Sequence, residues 1–193
     1  MNINTPEFYS LIQNKIQELS GLKTPLFVAI DGRCASGKTT LASFLKETLA
    51  CNVIPMDHFF LQPHMRTEER LQQPGGNVDY ERFLNEVMLP LTAGQIFSYQ
   101  PYNCHLKQFD APIEVKPAHV TIIEGSYSCH PSLQEKYDYK IFLTTSYEEQ
   151  LRRIANRNGK DSVTIFKEKW IPLEENYFHE LNIKEHCDTC ITT

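Results

Sequence analysis

The sequence predicts a three-layer α/β fold, in which a five-stranded, mostly parallel sheet is covered by helices on both faces. Short apolar runs recur along the chain, segments with helical spacing lie between them, and no link between runs has hairpin length. At 193 residues the chain is long enough for one domain with a substantial core. We therefore expect a single domain over residues 1–193.

The first elements follow one another closely. Apolar residues from Phe8 to Leu19 recur at helical spacing, with Thr5 and Pro6 as the expected N-cap and first turn. A buried strand at 25–30 and a second helix come next. The remaining strands are expected at 51–56, 119–124, 139–144 and 187–192. Because ligands of such sheets bind beyond the carboxyl ends of the strands, functional residues are expected at those ends.

Residues 58–117 depart from this alternation. The segment contains six prolines, a Gly-Gly pair and many aromatic residues, with one clear helix at roughly 80–91. A long irregular insertion in a compact domain is more often a binding surface than a connector. We expect it to bind the acceptor of a reaction.

Composition limits the function classes. A net charge of -5 argues against a nucleic-acid polymer as partner, since no basic stripe is present. No basic segment followed by an apolar block begins the chain, and no run approaches 18 apolar residues, so no membrane association and a cytoplasmic location are expected. The CxxC formed by Cys187 and Cys190 lacks a second pair for zinc, and burial in a terminal strand is expected instead.

The segment GRCASGKT, residues 32–39, matches G-x-x-x-x-G-K-[ST] between a predicted strand and a predicted helix. Its backbone N–H groups and the helix N-terminus favour phosphate oxygens. Lys38 is expected at the β- and γ-phosphates, and Thr39 at Mg²⁺. The motif predicts a P-loop NTPase fold that binds ATP and Mg²⁺, with nucleotide contacts from Gly32, Ala35, Ser36, Gly37, Lys38, Thr39 and Thr40. No NKxD or DxxG follows the strands, which favours a small-molecule kinase over a GTPase.

Two acids follow predicted strands. Asp57 could accept the proton of an attacking hydroxyl, although a turn cap is equally compatible with its position. Glu124 ends an apolar run, where a carboxylate is costly in a plain core and suits Mg²⁺ coordination.

Arginines cluster after the fourth strand. Arg152, Arg153 and Arg157 precede an Asn-Gly pair, and a lid over about 152–162 would close at least one of them over the transferring phosphoryl group. The alternative is a solvated helical face.

From about Leu26 onward the chain resembles the uridine kinase and phosphoribulokinase branch of the P-loop kinases. The resemblance rests on GRCASGKTT, MDHFF, GGNVDYERF, YQPYN, IIEGSY and IFLTTSYEEQLRRIANRNG, in this order and spacing. It implies that Asp57 is the catalytic base, that Asp79 holds the ribose hydroxyls, and that Tyr102 and His105 contact a pyrimidine base. Asn103 stands where the family has Asp, and the lid is shorter, so the chain departs most where the acceptor is chosen.

The sequence therefore predicts an ATP- and Mg²⁺-dependent kinase of a small-molecule hydroxyl, with the 5′-hydroxyl of uridine or cytidine as first candidate. Lys38, Asp57, Arg153 and Arg157 are the predicted catalytic residues. The alternatives are kinases of pantothenate, glycerate, nicotinamide riboside or a sugar, and a nucleotide-binding regulatory protein without transfer. Trp170, in a predicted C-terminal helix, is expected to pack in the core or at a subunit contact, which leaves a homo-oligomer open.

Overall fold

A computed structural model gives the structure of the protein and describes residues 5–193. The side chains of Thr5 and Pro6, predicted to begin the first helix, lie outside the described residues. The described residues form nine strands, which are β1 (Leu26–Gly32), β2 (Asn52–Pro55), β3 (Phe97–Tyr99), β4 (Tyr102–Asn103), β5 (Gln108–Phe109), β6 (Ile113–Val115), β7 (Val120–Glu124), β8 (Tyr139–Thr144) and β9 (Thr189–Thr192).

The central sheet has five strands in the order β2-β7-β1-β8-β9, and every neighbouring pair in it is parallel. All five lie within two residues of the predicted positions, so the predicted α/β fold is confirmed. β1 is buried along its whole length, as expected of a central strand covered on both faces.

Helices cover both faces of this sheet. They are α1 (Thr5–Leu22), α2 (Lys38–Leu49), α3 (Glu68–Gln72), α4 (Tyr80–Phe83), α5 (Leu89–Thr92), α6 (Pro131–Gln134), α7 (Tyr147–Asn158), α8 (Ser162–Ile165) and α9 (Ile171–Glu180). One apolar cluster packs α1 and α2 against the sheet, and a second packs the other face against residues 80–92 and α9.

Two helices contain π-helical segments. Leu84–Met88 joins α4 to α5, and Phe166–Trp170 joins α8 to α9, so that residues 80–92 and 162–180 are continuous helices. Each π segment ends two residues before a proline, Pro90 or Pro172, whose missing N–H cannot extend the regular hydrogen-bond ladder.

The insertion at residues 58–117 is more regular than predicted. Besides the helix at 80–92, it contains α3 and two small antiparallel sheets, one of β3 and β6 and one of β4 and β5. Thr67 caps α3 by accepting a hydrogen bond from the Arg70 N–H. Helix propensity alone did not predict this short helix.

Three further observations concern the helices and the C-terminal segment. No helix in the described part of the chain combines the length and apolarity needed to cross a bilayer. The expectation of buried cysteines in the last strand is wrong for Cys190, which is exposed. Trp170 is half-buried and lies on a cleft wall, so its predicted place in the core is also wrong.

Candidate active site

A cleft of about 990 Å³ opens at the carboxyl ends of the central strands. Its volume is at the upper end of the range for ligand sites. Most of its walls come from four parts of the chain: the loop before α2 with the start of that helix, the insertion, residues 124–127, and the segment from α7 to α9. Phe8, Tyr9 and Thr193 also line it. The strand register explains why the loops after β1, β2 and β7 meet at the cleft. Glu124 at the end of β7 lies beside Ile30 of β1 and Pro55 of β2.

The phosphate loop requires glycine at Gly32. Its φ is 132°, and a Cβ atom there would lie 1.9 Å from the carbonyl oxygen of Leu143. The loop can therefore pass the end of β8 only without a side chain. Of the predicted nucleotide contacts, five line the cleft, namely Ala35, Gly37, Lys38, Thr39 and Thr40. Gly32 and Ser36 lie behind them, and the buried Ser36 Oγ has no hydrogen-bond partner among the described residues.

Lys38 is the buried cation of the site. Its Nζ donates hydrogen bonds to the carbonyl oxygens of Gly32 at 2.7 Å and Arg33 at 2.8 Å, and lies 3.3 Å from Ser126 Oγ. These contacts keep the ammonium group inside the phosphate loop, where a point charge favours phosphate oxygens.

Thr39 and Glu124 form the candidate magnesium site. The Thr39 hydroxyl lies 3.3 Å from both carboxylate oxygens of Glu124. Burial and the nearby Asp57 raise the pKa of Glu124, while Lys38 and Thr39 lower it. The described residues contain no cluster of three or more metal-ligating side chains. This donor set fits Mg²⁺, which is usually held by one or two protein oxygens together with waters and substrate phosphates.

Asp57 lies in the 3₁₀ turn Met56–Phe59 directly after β2. Its side chain is open to solvent through the cleft. The cleft walls nevertheless surround the carboxylate and partly desolvate it, which raises its pKa. Lys38, Arg157 and His58 act in the opposite direction. Gly125 allows the close packing here, because a Cβ atom on it would lie 2.9 Å from Met56 Cβ. The N-cap of this turn is Pro55 and no side chain caps it, so the Asp57 carboxylate is not used as a cap.

Two buried carboxylates hold the site together. Asp31 accepts hydrogen bonds from the N–H groups of Gly32, Tyr127 and Cys129 and from the Tyr177 hydroxyl. It thereby joins β1, the segment after β7 and α9. The position of Asp31 at the end of an apolar strand was visible in the sequence, but its role as a structural acceptor depends on distant partners.

Glu174 was not predicted. Its carboxylate accepts hydrogen bonds from the Cys34 N–H at 2.9 Å and the Ser126 hydroxyl at 2.7 Å, and burial raises its pKa. It lies on α9 and joins that helix to the phosphate loop and to the segment after β7. Its spacing from Ile171 and Phe178, on the buried face of the helix, is the signal that could have found it.

The three arginines near the predicted lid have different surroundings. Arg152 is exposed and pairs with Glu149, so it lies on a solvated face. Arg153 also pairs with Glu149, and its Nη1 donates to the Ala35 carbonyl of the phosphate loop at 3.2 Å. Arg153 and Arg157 both line the cleft, and among the described residues Arg157 has a hydrogen bond only to its neighbour Asn158. Arg157 is thus the member of the group best placed to act on a phosphoryl group.

The structure does not bring Asp79 and Tyr102 into the cleft, which removes the geometric support for their predicted acceptor contacts. Asp79 caps α4 by accepting from the Arg82 N–H at 3.0 Å and lies 3.7 Å from the Arg82 guanidinium. Tyr102 is buried against Phe109. His105 is exposed and lines the cleft. The insertion also brings Phe60, Arg66 and Asn77 to the cleft, none of which the sequence had indicated.

No family model matches the chain. Among curated proteins, the chain is 28% identical over 148 residues to uridine kinase-like protein 5 of Arabidopsis thaliana, which covers 71% of the chain. It is 23% identical over 172 residues to the uridine kinase of Latilactobacillus sakei subsp. sakei (strain 23K), covering 82% of the chain and 80% of that protein. The phosphate loop and the cleft agree with this similarity. The chain is similar to uridine kinases and uridine kinase-like proteins at 23–29% identity.

A solved structure supports the fold of this chain. It is that of a candidate fructose transport system kinase from Silicibacter sp. TM1040, with a TM-score of 0.71 and 23% identity over 95% of the chain and 98% of its own. The chain spans only 31% of the length of the Arabidopsis protein.

Proposed function

We propose that this protein transfers the γ-phosphoryl group of ATP, bound with Mg²⁺, to a hydroxyl group of a small metabolite. The observation that supports the proposal most is the shared cleft, which Asp57, Lys38, Arg157 and the Thr39–Glu124 pair all line. Phosphoryl transfer needs a base, cations that bind phosphate and ligands for magnesium in one place. The cleft brings residues of all three kinds together.

In this mechanism the acceptor hydroxyl oxygen forms a bond to the γ-phosphorus, and the bond from that phosphorus to the oxygen shared with the β-phosphate breaks. Asp57 takes the hydroxyl proton. Lys38 and the loop N–H groups hold the phosphates, and Arg157 stabilises the charge that develops on the transferring group. Thr39 and Glu124 would hold Mg²⁺, which would neutralise further charge on the phosphate oxygens when bound. Positioning and electrostatics account for most of the catalysis.

The 5′-hydroxyl of uridine or cytidine is the first candidate acceptor, supported by the relatives named uridine kinase. Pantothenate, glycerate, nicotinamide riboside and sugars form the second group of candidates. The positions of Asp79 and Tyr102 favour this second group, because neither residue lines the cleft in which the two nucleoside contacts implied by the family resemblance would be made.

Release of ADP across a panel of these acceptors tests the proposal. We expect one acceptor class to stimulate turnover strongly, and Asp57→Asn to lower kcat by about 10² to 10⁴ while ATP affinity stays nearly unchanged. Glu47→Gln, an exposed carboxylate change on α2, is the matched control and should retain activity. ATP binding by the wild type without turnover of any acceptor would favour a regulatory nucleotide-binding protein instead.

A further inference from the structure

The arginines divide into two groups by their partners. Five of the seven pair with a carboxylate, and these are Arg33, Arg70, Arg82, Arg152 and Arg153. The other two, Arg66 and Arg157, have no carboxylate partner among the described residues, and both line the cleft. In a chain with a net charge of -5, unpaired arginines in a cleft are suited to bind anions.

Arg66 is anchored by one edge of its guanidinium group. Its Nε donates to the Leu61 carbonyl oxygen at 2.9 Å, and its Nη2 lies 3.6 Å from Cys104 Sγ, a weak acceptor. Its Nη1 has no partner in the part of the chain that the structure describes. The side chain is half-buried, so its direction is constrained while part of its donor fork stays available.

The two unpaired arginines belong to different parts of the cleft. Arg157 comes from α7 and, with Lys38 and His58, is one of the charges that lower the pKa of Asp57. Arg66 comes from the insertion and contacts Cys104 there. Arg157 therefore lies near the proposed base, and Arg66 belongs to the segment expected to hold the acceptor.

Asn77 provides a second observation in the same wall. Five buried side-chain polar atoms have no hydrogen-bond partner within the described residues, and the Asn77 Oδ1 atom is the one whose residue lines the cleft. Asn77 is 5% exposed. The Asn77 side chain forms a hydrogen bond with Tyr127, while its Oδ1 atom is left without a partner among the described residues. A buried acceptor without a partner is costly unless a ligand meets it, so this oxygen beside the cleft points to a polar ligand on this side.

We propose that Arg66 binds an anionic group, a carboxylate or a phosphate, carried by the acceptor, and that the Asn77 amide accepts a hydrogen bond from the same molecule. This inference rests on the proposed function and narrows it to hydroxyl acceptors that bear an acid. A planar guanidinium matches the two oxygens of a carboxylate or phosphate, which a neutral nucleoside does not offer.

Matched acceptor pairs test the charge requirement. ADP release is measured with glycerate against glycerol, pantothenate against pantothenol, and ribose 5-phosphate against ribose, with uridine and cytidine alongside. We expect an acid-bearing compound to be preferred over its neutral partner by at least about tenfold in kcat/KM, and the pairs separate carboxylate from phosphate. Preference for the neutral member, or for uridine or cytidine, would overturn the inference while leaving phosphoryl transfer intact.

Variants of Arg66 test whether this residue causes the preference for acid-bearing acceptors. Arg66→Gln should raise the KM of the acid-bearing acceptor at least about tenfold with a smaller change in kcat, and leave the KM of ATP and of the neutral partner unchanged. Arg66→Lys should retain part of the preference. Lys116→Gln removes one exposed charge from the same insertion and should behave as wild type. Equal effects of Arg66→Gln on charged and neutral acceptors would contradict the assignment.

A binding measurement separates failure of the inference from failure of the proposed function. Calorimetry follows inorganic phosphate and acetate binding to protein saturated with Mg²⁺ and a non-hydrolysable ATP analogue. Binding that Arg66→Gln weakens at least about tenfold supports the anion site even if no acceptor is turned over. Absence of Arg66-dependent binding of either anion, in a protein that binds the ATP analogue, would reject it.

Discussion

The Lys38 ammonium group interacts electrostatically with four carboxylates of the site. Burial raises the pKa values of Asp31, Asp57, Glu124 and Glu174, and the charge of Lys38 opposes that rise at each of them. One cation thus offsets part of the desolvation of four acids. Three of these acids accept hydrogen bonds from protein groups, whereas Asp57 faces the open cleft, which makes it the carboxylate suited to proton transfer.

The raised pKa of Asp57 predicts the pH profile of the proposed reaction. A base acts in its deprotonated form, so kcat/KM should fall as the pH drops through the pKa of Asp57, above the ordinary value of 3.8. Initial rates against pH, with a saturating fixed concentration of Mg²⁺, measure this limb. A limb at or below the ordinary value, or the same limb in the residual activity of Asp57→Asn, would show that another group is titrating.

At the scale of elements, the continuous helix at 162–180 connects the lid region to the phosphate loop. Glu175 pairs with Arg33 at 2.6 Å, and the neighbouring Glu174 accepts from the Cys34 N–H and the Ser126 hydroxyl. A movement of this helix must therefore break contacts with the loop or carry the loop along. The helix at 162–180 therefore couples the position of the lid region to that of the phosphate loop.

Glu174→Gln tests how the buried carboxylate affects stability. The glutamine oxygen can accept from the Cys34 N–H, and its amide can donate to Ser126 Oγ, so the contacts are preserved. Because burial raises the pKa of Glu174 above 4.5, ionisation costs the folded state more than the unfolded one. The wild type should thus lose free energy of unfolding relative to the variant as pH rises from about 4.5 through the raised pKa.

Urea unfolding at several pH values measures this difference. Glu175→Gln, which changes the adjacent and more exposed carboxylate, is the matched control and should show a smaller dependence on pH. A difference between Glu174→Gln and wild type that stays constant with pH would mean that the carboxylate has the same pKa in the folded and unfolded states.

Asp79 supplies a test at the start of the helix at 80–92. Asp79→Ala removes the N-cap and one partner of Arg82, which should cost about 1 kcal/mol of stability and lower the Tm by about 2–4 °C. Thr67→Ala, which removes the cap of α3, is the comparison. Because Asp79 does not line the cleft, we expect similar changes in KM for acceptor and ATP; a rise confined to the acceptor would restore the ribose contact implied by the family resemblance.

At the scale of the whole molecule, the sequence predicted what depends on local pattern. The five central strands and the phosphate loop follow from short apolar runs and one motif, and both are present in the structure. The cleft wall that contains Arg66 and Asn77 was not predictable in this way. Arg66 and Asn77 reach it through pairing of residues 59–61 with 77–79, where the Asp79 N–H donates to the Phe59 carbonyl, and such distant pairing leaves no periodic signal.

The same limit explains why the surroundings of Asp79 and Trp170 could not be predicted. An aspartate before a helix has the same sequence pattern whether it binds a sugar or caps the helix, and here the cap is formed. An aromatic residue at helical spacing predicts burial, yet Trp170 lies within the π segment Phe166–Trp170, where the regular α-helical spacing on which that prediction rests does not hold.

The position of Trp170 gives the protein a built-in optical reporter. It is the single tryptophan of the chain, and it lies half-buried on the wall of the cleft with the Lys169 ammonium 4.8 Å from its ring. Excitation of indole fluorescence therefore reads one place in the molecule. Ligands that enter the cleft, or movements of the helix at 162–180, should alter its emission, so occupancy can be titrated without a label and before any acceptor is identified.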